Sequence, residues 1–186
     1  MTLSPKDQET LLQVARTAIQ YGLEKGAPPK VEVSSFSPSL QAVRATFVTL
    51  EIAQRLRGCI GSLEASQAMV VDTAQHAYAA AFSDPRFPRL QKNEFPGLEM
   101  HISVLSPTSP LPFEGVDDLL RQLQPGIDGL IIAENGRRGT FLPTVWKSLP
   151  DPGAFLLQLK RKAGIPDDSS SFQAWRYTTE SVPAAS

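Results

Sequence analysis

A turn limits this chain more than any other feature. Asn135-Gly136 stands between the β-rich runs 129–133 and 138–142, and a tight hairpin turn selects that pair because both of its central residues take positive φ. An antiparallel hairpin follows. Upstream, Val43, Thr46, Phe47, Val48 and Thr49 mark a strand within residues 41–50, and after a polar turn near Gln54 a second strand is predicted over residues 55–60, pairing with the first. Residues 98–105 read as a further strand, and 175–179 as a candidate last one.

Helices are predicted between these runs. Ser4 suits an N-cap, Pro5 the first helical position and Asp7 the capping-box spacing, and Leu11, Leu12, Ala15, Ala18 and Ile19 form one stripe that Gly22 or Gly26 can end. Val70, Val71, Ala74, Ala77, Tyr78, Ala81 and Phe82 recur at helical spacing, and their alanines imply close approach to a sheet. A short helix fits 116–123, and a final one fits 152–163 between an Asp151 cap and Gly164. Residues 26–40, with three prolines and four serines, form an irregular connector. Hairpins interleaved with helices, without steady strand-helix alternation, predict an α+β fold with an antiparallel sheet and flanking helices.

Composition excludes several functions. Eighteen basic residues against 19 acidic ones leave a net charge of -1, so no field draws phosphate backbones or an anionic membrane, and neither nucleic acid nor membrane is an expected partner. A single cysteine, Cys59, excludes an intramolecular disulfide, a metal ribbon and a redox CxxC pair. It points to a reducing compartment. The first residues lack a secretory pattern and no apolar run approaches the roughly 18 residues of a membrane span, so the expected location is cytoplasmic. Neither GxGxxG nor GxxxxGK[ST] occurs, and His76 and His101 lie apart in sequence. No cofactor or metal is therefore expected, with carboxylate-only metal sites left open.

The most informative segment is Leu56-Arg57-Gly58-Cys59-Ile60-Gly61. In an extended strand Arg57, Cys59 and Gly61 share one face, while Leu56, Gly58 and Ile60 share the other. Leu56 and Ile60 then read as core, Gly58 as a point of close approach, and Gly61 as open space beside the thiol. Arg57, roughly 7 Å from Cys59 along the strand, favours a thiolate there and a lowered thiol pKa. The competing reading is a buried structural cysteine within a packing motif.

Other residues are candidates of lower rank. A Cys-His pair would require His76, on a mostly polar helix face, or His101, in an alternating strand. In Asp84-Pro85-Arg86-Phe87, Arg86 offers a planar fork to a carboxylate or phosphate. The plainer alternative is a local Asp84-Arg86 pair holding the loop, with Phe87 filling the core. Lys160-Arg161-Lys162 reads as a solvated helix end and Arg137-Arg138 as a charged hairpin tip.

From Phe47-Val48-Thr49-Leu50 through Leu56-Arg57-Gly58-Cys59-Ile60-Gly61-Ser62-Leu63-Glu64-Ala65 the chain closely resembles the AMMECR family, in particular its bacterial branch, AmmeMemoRadiSam system protein A. The likeness continues in order through Asp84-Pro85-Arg86-Phe87, Ile102-Ser103-Val104-Leu105-Ser106, Pro125-Gly126-Ile127-Asp128-Gly129-Leu130, Val145-Trp146 and Lys162-Ala163-Gly164, covering about residues 41–177. Ala45-Thr46 departs from the usual Gly-Ala pair, and Thr144 from the usual Gln or Glu. His76 and His101 also stand where the family carries other residue types, and none of these is carried over as a family functional residue. The resemblance implies one α+β domain of two unequal lobes spanning residues 1–186, with LRGCIG near the groove between them and 178–186 as a flexible tail. It also implies company with Memo-type and radical SAM proteins, without an established activity. The expected function is an accessory component binding a small molecule or partner through Arg57, Gly58, Cys59, Gly61 and Arg86. The alternatives are a thiol-dependent enzyme using Cys59, or an interaction module in which LRGCIG is a packing signature.

Overall fold

The computed structural model describes residues 2–183. They form two units, the first running to Leu105 and resuming at Glu180, the second being Ser106–Thr179.

In the first unit helix α1 (Pro5–Lys25) starts as its sequence predicts, with Ser4 Oγ accepting the Asp7 N–H at 3.1 Å. Gly26, at φ +71°, ends it. Gly22 lies inside the helix instead, where an added Cβ would strike the Tyr78 and Phe82 rings. The connector holds a 3-10 turn at Val33–Ser35 and a short helix α2 (Pro38–Gln41). Strands β1 (Thr46–Ile52) and β2 (Arg55–Gly61) form the expected antiparallel hairpin. Ala53 and Gln54 both take positive φ in its turn, at 49° and 61°, although neither is glycine.

Helix α3 (Met69–Phe82) packs its buried alanines 74, 77, 80 and 81 between α1 and the sheet. Strand β3 (Leu98–Leu105) pairs antiparallel with β1. Val48, Leu50, Met100, Ile102 and Val104, all buried, form the inner face of the sheet with α3 over them. Burying side chains of this size stabilises by about 1.5–3 kcal/mol each, so this layer anchors the unit.

The second unit holds β4 (Ser109–Pro110), α4 (Val116–Gln122), β5 (Gly129–Glu134), β6 (Arg137–Phe141), α5 (Pro152–Ala163) and β7 (Gln173–Tyr177), with sheet order β4-β7-β5-β6. Asn135 and Gly136 take φ 50° and 79° in the predicted turn. Asp151 caps α5 by accepting the Ala154 N–H at 2.8 Å, and Gly164 closes it at φ +74°. Trp146 stacks on Phe155 at 3.7 Å and donates its indole N–H to the Asp128 carbonyl at 2.7 Å.

Two expectations are corrected here. The last strand ends at Tyr177, and Thr179–Val182 form another strand, β8, which joins the first unit's sheet in the order β2-β1-β3-β8. Val182 is fully buried, and Glu180 Oε1 accepts the Leu3 N–H at 2.7 Å, so this stretch is structure and not a flexible tail. The remainder of the expected tail, 184–186, lies outside the described residues. The basic end of α5 is also not simply solvated. Lys160 is 3% exposed, donates to the Asp167 and Ser169 carbonyls at 3.1 and 2.8 Å, and lies over the Phe172 ring, while Arg161 pairs with Asp167. No described helix is long and apolar enough to cross a membrane. The architecture is α+β, with antiparallel pairing in both sheets.

Candidate functional site

The register of the first sheet defines its outer face row by row. Gly61, Phe47 and Ser103 lie abreast, followed by Cys59, Thr49 and His101. Beyond them the pairing shifts: Leu50 faces Gly58 but Glu51 faces Leu56, which leaves Arg57 as an extra residue in a β-bulge. The bulge turns Leu56 over, onto the face of Glu51 and Glu99. Leu56 is therefore 42% exposed and not core, contrary to simple alternation, whereas Ile60 keeps its packing against the core.

The bulge also redirects Arg57. Its guanidinium forms a two-pronged pair with Glu94, Nε to Oε1 at 2.8 Å and Nη2 to Oε2 at 3.1 Å, and holds the Glu94 carboxyl below its ordinary pKa. Nη1 is buried without a hydrogen-bond partner. The two glycines of the motif serve packing. A Cβ on Gly58 would run into the Ala80 carbonyl of α3, the close approach its position predicts. A Cβ on Gly61 would meet the Phe47 ring, so the open space expected beside the thiol is occupied.

The Asp84-Arg86 loop is bound to Cys59. Asp84, 4% exposed, accepts the Cys59 N–H at 2.9 Å, and Arg86 Nη2 donates to the Cys59 carbonyl at 3.4 Å. The guanidinium returns to Asp84 at 2.8 and 3.1 Å, and the Arg86 N–H adds a bond at 3.0 Å. Since β2 is an edge strand, the loop covers its free backbone groups at Cys59, as a neighbouring strand otherwise would. Both groups of Cys59 point away from β1, so Cys59 and Thr49 form the non-hydrogen-bonded kind of pair, with side chains close together. Thr49 Oγ1 accordingly lies 3.2 Å from the half-buried Sγ.

Arg86 bonding, helped by the N–H groups of Cys59 and Arg86, outweighs burial and holds the Asp84 carboxyl far below the usual carboxylate range. The Arg86 guanidinium is correspondingly stabilised in its charged form, first by Asp84 and also by the facing Cys59. The local Asp84-Arg86 pair is thus present, but Phe87 does not fill the core. It stands half-buried beside two guanidinium groups, 5.5 Å from Arg86 and 6.0 Å from Arg57.

Neither histidine is hydrogen-bonded to the thiol. His101 is separated from Cys59 by the intervening strand. His76, with its side chain 15% exposed, lies 3.1 Å by Nδ1 from Asp72 Oδ2. Buried Asp72 also accepts the Thr46 N–H at 2.8 Å, the Thr46 hydroxyl at 2.7 Å and the Gln67 amide at 3.2 Å. Burial opposes ionisation of Asp72, but the bonds from His76, Thr46 and Gln67 prevail and lower its pKa. Sequence reasoning missed this network, together with Thr49 and the group Glu51, Glu99 and His101, whose potential ligand atoms lie within 4.8 Å of one another. A cavity of about 520 Å³ between α1 and the connector, lined in part by Gln13, Val14, Thr17, Val31 and Phe36, contains none of the expected site residues.

Comparison with known proteins accounts for the collinear motifs. A protein of Methanothermobacter thermautotrophicus is 34% identical over 171 residues, covering 89% of this chain and 86% of its own length. One of Thermofilum pendens is 34% identical over 193 residues, covering 94% and 84%. The crystal structure of the uncharacterized protein PH0010 from Pyrococcus horikoshii superposes with a TM-score of 0.88 at 29% identity, over 97% of this chain and 93% of that one. Residues 12–182 match the AMMECR1 family, to which this chain belongs.

Proposed function

We propose that this protein is a binding component of a modification system that includes Memo-type and radical SAM proteins, and that it engages a small molecule or partner at the surface around Cys59, Thr49 and Arg86. The system membership rests on the motif resemblance. The choice of surface rests on one observation: a buried carboxylate, Asp84, and a partly exposed guanidinium, Arg86, jointly hold the backbone of Cys59. That arrangement fixes a half-buried thiol on a sheet face beside a cation whose side chain is 55% exposed. Such a cation can accept an anionic group of a ligand. Gly58 backs the surface through its α3 contact, Gly61 adjoins it through Phe47 on the same face, and Arg57 is held at the bulge by the Glu94 pair.

Co-purification of the tagged full chain from its native cell is the test. Recovery of a Memo-type or radical SAM protein with the wild type, reduced at least about tenfold by Arg86→Gln, a loss of about 1.4 kcal/mol, supports the reading. Recovery of neither protein overturns it. A second reading, a thiol-dependent enzyme, draws support from the Thr49 hydroxyl at 3.2 Å from Sγ. It requires that Cys59→Ser abolish turnover of a substrate while leaving partner recovery intact.

A further inference from the structure

We propose that Glu51, Glu99 and His101 form a divalent transition-metal site on the outer face of the first sheet, independently of the function proposed above. The β1–β3 register sets Glu51 directly opposite Glu99 and Thr49 opposite His101, so the imidazole lies diagonally across from the Glu51 carboxylate. Directly opposed like charges destabilise a sheet, and a cation between them removes that penalty. His101 Nε2 already lies 3.5 Å from Glu51 Oε2, longer than the usual 2.7–3.2 Å of an N–H···O bond. Two ligand atoms bound to one zinc ion at about 2.0–2.1 Å with tetrahedral angles stand roughly 3.4 Å apart. The His101–Glu51 spacing therefore already suits a shared ion. The widest ligand spacing in the group, up to 4.8 Å, needs only small rotations of side chains that are partly exposed, 41% for His101 and 31% for Glu51.

The imidazole distinguishes this group from a pair of surface acids. One imidazole nitrogen and two carboxylate oxygens suit zinc, cobalt or nickel better than magnesium or calcium, which favour oxygen alone. Three protein ligands leave a coordination position for water or an exogenous ligand. That position lies on the face that carries Thr49 and Cys59.

Metal-free full-length protein, prepared by chelation, is titrated with zinc by calorimetry and with cobalt by visible absorption. One equivalent is expected, with His101→Ala and Glu51→Gln each weakening it at least about tenfold while circular dichroism stays unchanged. Cys59→Ser is titrated because a thiolate competes for zinc. Binding retained in that variant supports the Glu–Glu–His set. Absence of wild-type binding at about 0.1 mM metal, equal binding by His101→Ala, or loss of binding in Cys59→Ser overturns it. None of these readouts depends on partner recovery.

Discussion

Replacing Asp84 with Ala strips the edge of β2 of its cover. The carboxylate accepts from the Cys59 N–H at 2.9 Å, the Arg86 N–H at 3.0 Å and the Arg86 guanidinium at 2.8 and 3.1 Å. The Arg86 side chain is 55% exposed, so the ion pair itself contributes no more than about 1 kcal/mol. The two backbone N–H groups left without an acceptor cost about 1–3 kcal/mol each where water does not replace it. Water reaches part of this edge, which places the expected loss near 3 kcal/mol. Urea unfolding at neutral pH, read by far-ultraviolet circular dichroism of the helices, which include α1 and α3 of the first unit, measures it. Asp84→Asn adds a pH signature. The folded carboxyl is held well below its unfolded pKa of about 3.9, so its contribution is complete above that value and is lost as the pH falls towards the folded one. The stability gap between the wild type and the Asp84→Asn variant therefore narrows from about pH 5 down to about pH 2. A loss under about 0.5 kcal/mol for the Ala variant, or a gap unchanged over that range, refutes the clamp.

Gly58→Ala places a methyl group against the Ala80 backbone carbonyl; because α3 has to shift to admit it, a loss of about 1–3 kcal/mol is expected in the same urea assay. Leu56→Ser is expected to cost less than about 0.5 kcal/mol, as an exposed position does, whereas a core leucine at the same place would lose several times that. A costly Leu56→Ser would contradict the bulge at Arg57.

The parts of the fold that sequence made legible are those that depend on neighbours in the chain. The Asn135-Gly136 turn, the Ser4 and Asp151 caps and the Gly164 stop rely on contacts within a few residues, and each is present. What escaped depends on pairing between distant segments. The bulge at Arg57 exists only in relation to Leu50 and Glu51, and alternation along β2 alone carries no trace of it; hence the misplacement of Leu56 and the unforeseen Glu94 partner of Arg57. Strand β8, Thr-Glu-Ser-Val, offers a single large apolar side chain to mark it. The basic run ending α5 looks solvated until the Asp167 and Ser169 carbonyls and the Phe172 ring are found around Lys160. At the candidate site Cys59 and Arg86 were readable as residue types, but the bond from the Cys59 N–H to Asp84 spans 25 positions.

Thr46 and His76 meet at Asp72. In the structure the Thr46 hydroxyl reaches Asp72 Oδ2 at 2.7 Å and His76 Nδ1 reaches the same atom at 3.1 Å. A carboxylate 2% exposed is costly unless donors surround it, and these two side chains join the Thr46 N–H and Gln67 in supplying them. The carboxylate in turn fixes the start of β1 against α3, because the Thr46 N–H it accepts lies at the first residue of that strand. The same strand then carries Thr49 to the side of Cys59 and Glu51 to the side of His101. Position 46 therefore bears on the outer-face residues through the backbone, since a one-residue slip of β1 would exchange its two faces and disperse both groups.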